Sequence, residues 1–316
     1  MSTSLLKSIT FVMLLAACTA TSKNSKQVAD NFSTDTTQPS ITNIDKPLPL
    51  TDLPRTQDGA FILQPGFYET EFKTYCLQPG TPDPSSRDAY LQSPMTGYRK
   101  EIVESVLLNS RNKPQMDQRN VQLLLWSIVS NSDFNKLSPT VKSDAYQLLT
   151  PKQIFELKGG VVGVIKTVSS VMSPNNDMQR LFETTTSSYE AFEKIAVLRE
   201  SSQIKRHGVK ADQWYKQKEN YYVRYLPLSY KKVRVQIYVP DGLLDSENKL
   251  NGEYMIYDPT GQQAIPAFTN AQRLGIGGPV LDIIKIVIQV NKKAPPQPKQ
   301  APDPKTRPKR DESVKQ

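Results

Sequence analysis

The hydrophobic period of this chain changes at one turn-like segment, and that change constrains its fold more than any other feature. Between about residue 98 and Lys205-Arg206-His207-Gly208, apolar residues recur at three- and four-residue spacing; after it they alternate. Ile102, Val103, Val106 and Leu107 make one helical stripe. Val121, Leu124, Leu125, Ile128 and Val129 make a second. Ser138-Pro139 offers a capping oxygen followed by a proline whose missing N–H costs nothing in a first helical turn. Thr150-Pro151-Lys152-Gln153 adds a Gln at the capping-box position, and Gly159-Gly160 predicts the stop. Ser173-Pro174 opens a further predicted helix, with Met178, Leu181, Phe182, Thr185, Tyr189, Phe192 and Ala196 on one face, running to about Ser202.

Beyond the turn, Val233, Val235, Ile237 and Val239 alternate with Lys232, Arg234, Gln236 and Tyr238, which predicts a half-exposed strand with a cationic outer row. Tyr221, Val223 and Tyr225 suggest its partner, and Tyr254 to Tyr257 a third strand. Val280 to Val290 reads as a strand from its β-branched content, although Asp282, Lys285 and Gln289 would share one helical face. Residues 61–90, punctuated by Pro65-Gly66 and Pro79-Gly80, predict short strands and loops. Helices followed by strands imply an α+β fold: a helical bundle-like N-terminal half, then a small, mainly antiparallel sheet. The globular part is expected over 61–290, helical over about 98–204 and strand-rich over about 215–290.

The flanks have a different composition. Of the chain's 24 prolines, Pro39, Pro47, Pro49 and Pro54 fall in a Ser/Thr-rich stretch without periodicity, so 18–60 reads as a flexible tether. Asn291 to Gln316 carries eight Lys/Arg against three acids, a net +5 out of a formal +9 for all 316 residues, and its prolines favour an extended, unpacked segment. Lys292, Lys293, Lys299, Lys305, Arg307, Lys309 and Arg310 would attract an anionic surface such as lipid headgroups, wall polymer or an acidic partner. The plain alternative is a solvated tail without a partner.

The start of the chain gives its address. Lys7 is the only charge before the apolar run Ile9 to Leu15, which is too short to span a bilayer core of roughly 30 Å and reads as a secretory signal over 1–17. Leu15-Ala16-Ala17-Cys18 resembles the lipobox of bacterial lipoproteins. That resemblance implies cleavage before Cys18 and acylation of its thiol and new N-terminus, hence a membrane-tethered mature protein. Thr19, where an Asp would favour inner-membrane retention, leans the expected localisation to the outer membrane, facing the periplasm. Cys76 is then the only other thiol in a disulfide-permissive compartment, and it is expected to be buried.

Candidate chemistry is sparse. One His and two Cys cannot supply a zinc site of the usual ligand count, and neither metal nor cofactor is expected. A Cys76/His207 hydrolase pair is disfavoured, because Leu77-Gln78-Pro79-Gly80 cannot start a helix at the cysteine and His207 lies among cations. Glu101, Glu104, Glu183, Glu190 and Glu193 could serve a glycan hydrolase, but their spacing fits solvated helix faces. Gly275-Ile276-Gly277-Gly278-Pro279 lacks the phosphate-binding glycine patterns and reads as a turn; so does Asp258-Pro259-Thr260-Gly261. Gly159 to Gly163 lacks the apolar context of a helix-dimerising motif. Tyrosines beside Arg224, Lys232 and Arg234 could hold an anionic polymer, whereas nucleic-acid binding does not suit the compartment. The expectation is a lipid-anchored envelope protein with a binding, scaffolding or assembly role and no catalytic residues. Its partners would be the membrane, wall polymer or an envelope complex, and the alternative is a carboxylate-dependent glycan hydrolase.

Overall fold

The computed structural model describes residues 34–39, 46–159, 180–182, 188–207 and 210–281. The signal segment with Cys18, most of the Val280–Val290 run, the basic tail and Glu183 lie outside the described residues.

Six strands close into an antiparallel barrel. In chain order they are β1 (Gly66–Cys76), β2 (Tyr90–Ser93), β3 (Tyr222–Ser229), β4 (Lys232–Val239), β5 (Gln263–Pro266) and β6 (Leu274–Pro279). Around the barrel the order is β1, β6, β5, β2, β3, β4 and back to β1. The β2–β3 seam rests on one residue pair, Tyr90 with Tyr225, backed by the Tyr225 hydroxyl donating to Gln92. The expected helical half followed by a small sheet is therefore incorrect. Two barrel strands precede the helices, and closure joins them to strands more than 100 residues further on.

Alternation explains why these segments are strands. In β4, Val233, Val235, Ile237 and Val239 are fully buried, as are Phe72, Thr74 and Cys76 of β1 and Leu274 and Ile276 of β6. These side chains fill the barrel, so it is a packed core and not a container. The cationic outer row of β4 is neutralised by its neighbour. Glu71 lies opposite Arg234 and pairs with Lys232 at 2.9 Å and Arg234 at 3.3 Å, while Glu69 accepts from Gln236 at 2.8 Å. Burial pushes the Glu71 carboxyl up, but those two cations more than offset it and hold it below its usual value. The cations weighed for an anionic polymer, Arg224, Lys232 and Arg234, thus already contact Glu71 or Gln236, which accepts from Arg224 at 2.5 Å.

The helices are inserted between β2 and β3: α1 (Lys100–Arg111), α2 (Gln118–Val129), α3 (Pro139–Leu148), α4 (Pro151–Leu157) and α5 (Tyr189–Ala196). Both apolar stripes are inward, with Ile102, Val103, Val106 and Leu107 of α1 and Val121, Leu124, Leu125 and Ile128 of α2 buried. Ser138 caps α3, and Thr150 with Gln153 completes a capping box on α4. The helix expected from Ser173-Pro174 to about Ser202 has its opening outside the described residues; α5 is capped by Ser188 and ends at Ala196, because Val197–Leu198 leaves it to pair in parallel with Thr81–Pro82.

The glycine-rich segment expected to be a turn is strand β6, and its glycines seat a helix. A Cβ on Gly278 would lie 3.0 Å from the Arg111 Cα of α1, and one on Gly275 would lie 3.0 Å from Leu107. Only bare backbone lets α1 approach the sheet this closely. Asp258 to Gly261 does turn, with Asp258 accepting from the Thr260 N–H at 3.0 Å; its carboxylate also pairs with Arg111. Leu50 and Leu53, within the expected tether, belong to the core, and Leu48–Pro49 pairs in parallel with Tyr68 and Glu69 of β1. The broken pairs Glu253–Tyr254 and Ile256–Tyr257 replace the expected third strand.

Candidate binding site at the barrel rim

Because the barrel is filled, any site must lie on its rim or outer surface. One rim is built where β1 ends, β5 ends and β6 begins. There, a cleft of about 520 Å³ opens between the loop after β1, the chain after α5 and the β5–β6 loop. Its lining is apolar at Pro82, Leu198, Ile265 and Pro266 and polar at Gln78, Gln203 and Arg273. That volume falls in the range of small-molecule and peptide-end sites.

Arg273 is the distinctive residue. Its backbone C=O accepts from Leu77, which fixes the side chain at the cleft, and Nη1 donates to Thr96 at a long 3.4 Å. Burial lowers its pKa, and among the described residues no carboxylate forms an ion pair with it. Arg111 and Arg206, by contrast, reach Asp258 and the fully buried Asp88. A half-buried guanidinium with idle donors is a ready anion receptor.

The rim carries a second irregularity. Phe268, in the β5–β6 loop, holds a left-handed backbone with φ of 59° and is 67% exposed, the most exposed of the large apolar side chains among the described residues. That conformation is costly for a bulky residue and is locked by His207, whose N–H donates to the Phe268 C=O at 3.2 Å.

Next to the cleft, the same Thr81–Pro82 and Val197–Leu198 ladder leads into a closed polar cluster. Glu193 pairs with Arg199 and Lys231, both at 2.9 Å, and accepts from the Tyr230 hydroxyl, which also meets the Tyr189 hydroxyl. Trp126 stacks on Tyr189 with ring centroids 5.7 Å apart. Burial alone would raise Glu193, but Tyr230, Lys231 and Arg199 hold it below its usual range. Asp83 accepts the Tyr230 N–H at 2.9 Å, and burial pushes its carboxyl up.

The other candidate residues do not assemble into a site. Cys76 is fully buried and burial pushes its thiol up to about 12, so it is not a ready nucleophile, and His207 is exposed. Glu101 and Glu190 face solvent, and Glu104 is partly buried on α1. Of the described carboxylates singled out by sequence, Glu193 enters the buried network, while Glu190 pairs at the surface with Arg119 and Ser188. Arg273 and Phe268 had no local signal, because an arginine's lack of a partner is a property of distant chain. No protein-family model, curated protein or solved structure matches this chain.

Proposed function

We propose that the protein is a lipid-anchored component of the bacterial envelope, held at the outer membrane and facing the periplasm, whose barrel has a non-catalytic binding role. Leu15-Ala16-Ala17-Cys18 carries this reading: it resembles a lipobox, follows a short apolar run and precedes a polar segment. Each acyl methylene buried in lipid contributes about 0.8 kcal/mol, so multiple chains on Cys18 anchor far more firmly than one. The basic tail adds an attraction to anionic lipid or wall polymer that salt screens.

Membrane fractionation tests the anchor. Cys18→Ala is expected to move the protein to the soluble fraction, and unchanged membrane association would overturn the reading. Deleting Asn291 to Gln316 is expected to weaken binding to anionic vesicles at low salt while leaving the acylated pool intact.

A second reading, a glycan hydrolase, draws on the opposed shifts of Asp83 and Glu193, a pattern that divides acid from base in such enzymes. Against it, both carboxylates are spent on protein partners and only 17% and 16% of their side chains is exposed. Release of peptidoglycan fragments by the full chain, abolished in Asp83→Asn, would establish this second reading; absence of release supports the first.

A further inference from the structure

Resting on the reading of the barrel as a binding module, we propose that the rim cleft receives a short peptide ending in a free carboxylate, with Arg273 holding that carboxylate. Three independent features converge there. The guanidinium is a planar fork whose donors suit two carboxylate oxygens, and its one side-chain bond among the described residues, to Thr96, is long at 3.4 Å. The cleft lining mixes the apolar Pro82 and Leu198 with the amides of Gln78 and Gln203, so it offers surface both to a peptide's side chains and to its backbone. Phe268, which does not itself line the cleft but precedes the lining residue Thr269 in the chain, holds a left-handed backbone and is 67% exposed, so a ligand reaching past the cleft would cover it.

Bare phosphate fits less well. It would satisfy Arg273 but leave Pro82, Leu198, Ile265 and Phe268 without a partner. A neutral peptide end would fill the walls and leave the guanidinium unpaired. Only a ligand with both parts uses everything the rim presents.

The test titrates the full mature chain, in detergent micelles, with acetyl-Phe-Ala-Ala as the free acid, the same peptide as its terminal amide, and inorganic phosphate, followed by calorimetry. The acid is expected to bind at least tenfold more tightly than the amide or phosphate. Arg273→Gln is expected to weaken the acid at least tenfold, with a melting temperature near that of the parent, and Phe268→Ala several-fold. If Arg273→Gln does not fold, Gln78→Trp, which fills the cleft, is expected to abolish binding of the acid. Equal binding of acid and amide, phosphate binding as tightly as the peptide, or no binding of the acid would each overturn the proposal. Those results leave the anchor untouched, whereas Cys18→Ala fractionation speaks to the anchor alone.

Discussion

Two charged regions flank the short ladder of Thr81–Pro82 with Val197–Leu198, and they treat charge in opposite ways. On one flank the largely buried Glu193 is met by the partly exposed Arg199 and Lys231 and by Tyr230, so carboxylate and cations neutralise one another at the edge of the core. On the other, the Arg273 side chain reaches only Thr96 among the described residues. Satisfied charge beside a packed core stabilises the protein; charge left unsatisfied in an open cleft costs stability unless a ligand completes it. The contrast separates residues that hold the molecule together from residues free to bind.

Three changes would break or sharpen that contrast. The largest effect is expected from Trp126→Ala, which removes the ring stacked beneath the closed cluster from a fully buried position. Its cost should be about 3–5 kcal/mol in chemical denaturation. A loss below about 1 kcal/mol would mean the cluster does not depend on the core beneath it.

Glu193→Gln comes next. It strips a charge-assisted acceptor from Tyr230 and leaves Arg199 and Lys231 to solvent, which partly exposes both. The expected loss is about 1–3 kcal/mol near neutral pH. The acid limb carries a sign. Glu193 is held below its ordinary 4.5, so its stabilisation is complete above that value and drains away as pH falls through the lower folded value. Parent and variant should therefore converge in stability as pH falls below 4.5, while peptide affinity in the variant stays within about twofold of the parent. A constant gap down to strongly acid pH would place the effect in packing rather than charge.

The smallest effect is expected from Phe268→Gly. Glycine adopts a positive φ without a Cβ clash, so thermal denaturation should show a gain of about 1 kcal/mol or no change, while peptide binding weakens. A clear loss of stability would show that the Phe268 ring supports the fold and that the rim is not strained.

Parts of this architecture were legible before any coordinates. The stripes of α1 and α2, the caps at Ser138 and Thr150, the alternation of β4 and the turn at Asp258 all depend on residues within a few positions of one another. Strand β1 was also readable in principle. Tyr68, Phe72, Thr74 and Cys76 point inward, and Glu69, Glu71 and Lys73 lie on the more exposed side, but flanking Pro-Gly pairs favoured a reading as short strands and loops. The glycines of β6 misled for a physical reason: locally they signal a turn, and only the closeness of α1 explains why a strand tolerates them.

The sequence by itself determined the helical period of α1 and α2, the alternation of β4 and the caps that bound several helices. Tertiary structure decided that β1 pairs with β4 about 160 residues away, that Glu71 quenches a cationic strand face, and that Arg273 opens on a cleft with no carboxylate among its described lining residues. Local propensity acts over a few residues, whereas barrel closure and charge pairing join segments whose separation costs loop entropy but leaves no mark in the intervening sequence.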